Sequence, residues 1–173
     1  MNISAVKHTE YHDFYRGYIE VLGEVELLDE MIRRKKAMLT LLEGVNKFQF
    51  GFSYAEGKWS IKELLLHMID AERVFQYRAL CIARGDKTNF PGFEQDHYVQ
   101  HSKAGERSKK SLIDEFSIVR DSSVALFTSF PAEVVQETGV VSGHPMSVRA
   151  IGFIISGHQK HHEKVIKEKY LKV

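Results

Sequence analysis

The sequence predicts an all-α protein, a four-helix bundle with a long crossover connection between its second and third helices. Three observations lead there. Four stretches of about 20 residues repeat apolar side chains at the three-to-four spacing of one helix face. No run of residues alternates convincingly as a strand would. Segment 86–107, between the second and third stretches, is long enough to return the chain to the other end of a bundle. A length of 173 residues suits one domain with a proper core and is short for two.

Residues 1–22 carry Tyr11, Phe14, Tyr15, Tyr18 and Ile19 among charges without a long period. They read as an N-terminal arm packed on the body, with room for a short helical turn. The first helix is expected over about 24–43, where Leu28, Met31, Ile32, Met38, Leu39 and Leu42 recur at helical spacing and Gly44 follows as a cap. Its run Arg33-Arg34-Lys35-Lys36 reads as a solvated face. An aromatic and glycine-rich connection, 46–59, leads to Ser60-Ile61-Lys62-Glu63, a capping box with Trp59 and Leu64 placed as a hydrophobic staple.

The second helix runs from that box to about Arg84 and stops at Gly85, with Ile61, Leu65, Met68, Phe75, Ala79 and Ile82 as its apolar stripe and His67 beside it. In 86–107, the turn-like Asn89-Phe90-Pro91-Gly92-Phe93 precedes Asp96, His97, Tyr98 and His101. That segment reads either as the rim of a pocket or as a packed surface loop. The third helix spans about 109–130 on Leu112, Phe116, Val119, Leu126 and Phe130, and Pro131 closes it. A turn-prone link with room for a brief extended stretch, 132–146, contains Gly139-Val140-Val141-Ser142-Gly143. Ser147 then caps a fourth helix reaching about Tyr170.

Composition narrows the function. Hydrophobic residues make up 43% and charged residues 27%, ordinary for a globular chain. With 24 Lys and Arg against 23 Asp and Glu there is no global basic field for nucleic acid or a membrane surface. No apolar run approaches a membrane span and no secretory segment is visible, so neither partner is expected. The lone Cys81 excludes an internal disulfide, which suits a reducing cytoplasm.

The chemistry concentrates in the fourth helix, where His158, His161 and His162 fall within five residues. The stripe Val148, Ile151, Ile155 and Val165 passes through His158 and His162, while His161 falls toward its edge with Lys164. Two histidines at i and i+4 can chelate one ion from one helix face, and they can equally be core histidines satisfied by hydrogen bonds. A zincin is excluded because Ile166 stands where its second histidine would be. A di-iron bundle needs two E-x-x-H pairs, and only Glu94-Gln95-Asp96-His97 fits. With a third histidine from another helix, the ion would keep an open position and would suit Zn, Ni, Cu or Fe(II) better than Mg or Ca. Such a site is expected to release metal below about pH 6, where free imidazole protonates.

Gly57-Lys58-Trp59-Ser60-Ile61-Lys62-Glu63, His67, Asp70-Ala71-Glu72-Arg73, Ile82-Ala83-Arg84-Gly85-Asp86-Lys87 and Pro91-Gly92-Phe93 resemble one signature of the DinB/YfiT-like superfamily. Gly143-His144-Pro145, Ser147-Val148-Arg149-Ala150, Gly157-His158 and His161-His162 resemble its second. The resemblance implies a bundle whose second and third helices run parallel, and a divalent transition metal (Zn, Ni or Fe) on His67, His158 and His162. It also implies a metal-dependent hydrolase, or a transferase using a low-molecular-weight thiol, acting on a small-molecule electrophile. Asp96, Tyr98, Arg73 and Arg149 are candidates to position that substrate, although an ion pair with Glu72 or another acid would equally explain the two arginines. A non-catalytic, metal-binding stress-response module is the alternative, and either reading is compatible with a homodimer.

Overall fold

A computed structural model describes residues 1–172. Helices α1 (Arg16–Glu20), α2 (Leu27–Glu43), α3 (Lys47–Gly51), α4 (Ile61–Ala83), α5 (Gln95–His101), α6 (Lys109–Thr128) and α7 (Val148–Val165) account for most of the chain. Strands β1 (Asn89–Phe90), β2 (Thr138–Val141) and β3 (His144–Ser147) form a small sheet, and a π-helical turn, Ile166–Leu171, extends α7. No helix among the described residues is long and apolar enough to cross a membrane.

The four long helices α2, α4, α6 and α7 form the bundle, and residue pairings give their directions. Lys62 donates to the Gly105 carbonyl, Arg73 pairs with Glu115 and Gln76 donates to the Val119 carbonyl, so α4 and α6 run parallel. Arg34 meets Glu163 and Leu27 lies by Gly152, so α2 and α7 are parallel too. Lys35 with Asp121 and Lys109 with the Val45 carbonyl make α2 antiparallel to α6. The principal interfaces are α4–α6, α4–α7, α2–α7 and α2–α6. Three of these interfaces join helices that are not consecutive in the long-helix order, and the fourth joins α4 to α6, which are consecutive but parallel. The 86–107 connection is the crossover this demands, and it holds β1 and α5.

The sequence reading allowed a brief extended stretch within 132–146 but not this paired sheet. Its hairpin turn is Ser142-Gly143, both with positive φ (51° and 79°), the type I′ geometry that two-residue β-hairpins favour. Gly139 in β2 lies where a Cβ would come within 2.6 Å of Ile82, so the strand packs tightly against the end of α4. β1 pairs parallel with β2 and ties the crossover to the base of the bundle.

Two readings of α2 need correction. Ile32, counted as apolar stripe, is 54% exposed, whereas Arg34, counted as solvated face, is buried between Glu30 and Glu163. A second buried pair, Arg120 and Glu72, crosses from α6 to α4, where Ser123 and the Met31 carbonyl complete its hydrogen bonds. The arm is more ordered than one helical turn. It folds as three 3-10 turns followed by α1, and α1 packs on α7.

Candidate metal centre

Each putting-in-place of a histidine begins at a helix cap. Ser60 caps α4 with Glu63 reaching back to the Ser60 backbone, which fixes where the first turns of α4 begin and so where His67 points. Ser147 caps α7 by accepting from the Ala150 N–H, and α7 then presents His158 and His162 one turn apart on the same face. Because α4 and α7 are antiparallel neighbours, the three side chains meet. His67 Nε2 lies 3.1 Å from His158 Nε2, and His162 Nε2 lies 2.9 Å from the same atom. Ligand atoms of all three lie within 4.8 Å of one another. An ion with bonds of about 2.0–2.1 Å to imidazole nitrogen would set adjacent donors roughly 2.9 Å apart in an octahedron and roughly 3.4 Å apart in a tetrahedron. The two spacings to His158 fall in or at the edge of that range.

Hydrogen bonding alone does not explain the cluster. A neutral imidazole nitrogen carries either one proton or one in-plane lone pair, so His158 Nε2 can satisfy one of its two close neighbours. Protonation is no remedy. Burial pushes the His67 pKa down to about 4 and that of His162 down to about 3, and it drives His158 well below the usual imidazole range. His162 Nδ1 is also buried without a partner. Three neutral nitrogens converging on one point are a donor set suited to a single divalent transition metal ion.

Cavities flank the cluster on both sides. One, of about 390 Å³, is lined by His67 and His158 with Phe14, Tyr15 and Tyr18 of the arm and 92–95 of the crossover. The other, of about 320 Å³, is lined by His162 with Trp59, Asp96 and Tyr170. The crossover thus supplies rim to both. Asp96 stands in the second cavity, and its charge acts on His67. Tyr98, in contrast, is exposed and packs against Phe93. Arg73 is held by Glu115, and Arg149 by Glu10 of the arm beside Ser147. Neither arginine lines the two cavities beside the histidines. Arg149 instead borders a cleft with Leu27, Phe127 and Phe130.

The sequence reading missed three cavity residues. Trp59, read only as a staple, has its ring 4.8 Å from that of His67, and the Tyr18 ring lies 5.4 Å from that of His158. Arg78 lies inside the first cavity. Tyr18 reaches its place because Gly157 has no side chain: a Cβ there would stand 1.8 Å from the Tyr18 carbonyl oxygen. That obstacle is backbone and cannot rotate away. Gly157→Ala is expected to destabilise the protein by about 1–3 kcal/mol and to unseat the arm from α7. Chemical denaturation and limited proteolysis within residues 1–22 measure the two effects.

The family model for the DinB superfamily matches residues 30–166. No curated protein matches the chain. Among solved structures the chain is similar to YfiT from Bacillus subtilis, described as a probable metal-dependent hydrolase with an unusual four-helix bundle topology. The two share 12% sequence identity at a TM-score of 0.70, over 96% of this chain and 91% of that one, a likeness of fold.

Proposed function

This chain belongs to the DinB superfamily, and from that premise we propose that it is a metal-dependent enzyme acting on a small electrophile, with His67, His158 and His162 as the metal ligands. The observation that carries the proposal is the approach of the His67 and His162 Nε2 atoms to His158 Nε2, at 3.1 and 2.9 Å, between two cavities. A divalent ion held there would supply Lewis acidity and lower the pKa of a water or small thiol at its open position. The chain's own residues do the rest. Trp59 and Tyr18 shield the imidazoles, and the two cavities admit substrate and nucleophile. Asp96, which lines the cavity that His162 borders, is the candidate to orient the nucleophile and take its proton. This favours hydrolysis, with thiol transfer as the same chemistry using a different nucleophile.

Protein purified without a nickel column is expected to carry about one equivalent of transition metal per chain. Hydrolytic activity on small esters and amides should vanish with chelation and return with that metal. Metal analysis of such protein that finds none, with none taken up on reconstitution, would defeat the proposal.

The depressed histidine pKa values change the acid behaviour expected from sequence. Protons compete for the folded ligands only near pH 4, not near pH 6, so the loaded protein is expected to keep its metal at pH 5. Folding stability responds earlier, as the metal-free protein shows. Its unfolded imidazoles take up protons from about pH 6.5 downward while the folded ones stay neutral, so stability falls as pH drops from about 6.5 to 4. The expected loss is on the order of 2 kcal/mol for His67 alone between pH 7 and 4.5. Urea denaturation of the metal-free form at pH 7, 5.5 and 4.5 reads it out, and stability that does not fall over that range would contradict it.

A further inference from the structure

The cavity on the His67 side has its floor on one stripe of α4: His67, Ala71, Phe75 and Arg78. Steps of four, eight and eleven residues return to the same helix face, so histidine and guanidinium occupy two ends of one groove. Three arginines of the described chain are buried. Arg34 is matched by Glu30 and Glu163, and Arg120 by Glu72. Arg78, only 4% exposed, has no carboxylate within 4.0 Å among the described residues.

Its hydrogen bond runs to the Pro91 carbonyl at 2.5 Å, and the Tyr15 hydroxyl lies beside it. The Phe75 and Phe93 rings lie 6.0 and 5.9 Å from its guanidinium carbon. A guanidinium has five N–H donors and no means of neutralising itself near pH 7, so a buried one without a counter-charge is costly. Cation–π contacts and the Pro91 and Tyr15 oxygens offset part of that cost and leave the guanidinium without a charged partner.

We propose that Arg78 anchors the anionic end of the substrate, a small organic carboxylate whose apolar middle lies over Ala71 and whose reacting bond reaches the histidine centre. Ala71 keeps the floor low between the two ends, and Phe14, Phe75 and Phe93 supply apolar wall. The two Cα atoms of His67 and Arg78 are about 16 Å apart along the helix. Arginine side chains lean toward the helix N-terminus, which leaves a span on the order of 10 Å for the ligand. A planar, singly charged carboxylate fits one guanidinium fork. A dianionic phosphate fits less well, because Glu94 lines the same cavity and no lysine does. The position of the reacting end rests on the metal-centre reading, whereas the anion site stands on Arg78.

Calorimetric titration of metal-loaded and metal-stripped protein with 4-phenylbutyrate, 4-phenylbutyramide and phenyl phosphate tests this. The carboxylate is expected to bind at least tenfold tighter than the amide or the phosphate ester in both forms. Arg78→Gln should erase that preference without changing metal content, and Arg78→Lys should keep part of it. If Arg78→Gln does not fold, Arg78→Lys and the carboxylate-to-amide ratio of the unaltered protein decide. Equal binding of carboxylate and amide, no binding of any probe, or an unchanged preference in Arg78→Gln would overturn the proposal. Tighter phenyl phosphate would overturn the carboxylate assignment. Failure of the metal-centre reading is distinguishable, since it would leave the carboxylate preference intact in protein that takes up no metal.

Discussion

His162→Ala is expected to lose stoichiometric metal binding, as are His67→Ala and His158→Ala, while His161→Ala keeps it. Angular spacing hardly separates the adjacent pair: relative to His158, position 162 is displaced by about 40° and position 161 by about 60° the other way. The structure separates them by environment. His162 Nε2 sits 2.9 Å from His158 Nε2, whereas His161 is exposed and lies against Tyr18, with Lys164 nearby. Groups that merely support a ligand are worth about 10–100-fold in metal affinity, so loss of a ligand should exceed that. Metal content after reconstitution, with circular dichroism as the check on fold, gives the result. Full metal in His162→Ala with none in His161→Ala would reverse the assignment. Full metal in both would remove α7 as a two-ligand donor.

The largest effect on stability is expected at Arg120, the bulkiest of the fully buried side chains. Its Nε and a terminal nitrogen bond both Glu72 oxygens at 2.7 and 2.9 Å, and Ser123 Oγ donates to the same carboxylate at 2.6 Å. Arg120→Met would strand a buried carboxylate, at a cost of about 3–5 kcal/mol. Glu72→Leu in the same chain should recover most of the loss, because the penalty lies in the unpaired charge rather than in the missing bond. Urea denaturation of the two single variants and the double variant measures the coupling. Additive losses would show that the pair is not a unit.

The bundle was legible in the sequence because its evidence is local. Period, caps and stops at Ser60, Gly85, Pro131 and Ser147 are properties of neighbouring residues. The hairpin was hidden because Thr138–Ser147 is too short to alternate clearly, and its decisive signal is the positive φ of Ser142-Gly143. Charge defeated the reading of α2. Nothing near Arg34 in sequence reveals that Glu163, 129 residues away, will bury it. His158 and His162 announced themselves by register with an apolar stripe. His67 was visible as a histidine beside a stripe, but its approach to the pair depends on how α4 meets α7. Arg78 gave no signal, since an unpaired guanidinium is defined only by what the fold leaves out around it.

The pairing of long helices that are either parallel or not consecutive bears on the order in which the molecule assembles. In an up-and-down bundle, consecutive helices dock as hairpins and close short loops. Here Glu72 and Arg120 are 48 residues apart, His67 and His158 are 91, and Arg34 and Glu163 are 129. Such separations raise contact order, and folding slows with it. The three histidines meet only once α4 and α7 have docked, so they come together late, after the costly loops have closed. An ion binding there stabilises the finished structure and has little hold on the folding transition state. Its main effect is on lifetime, with the loaded chain unfolding more slowly while folding at nearly the same rate.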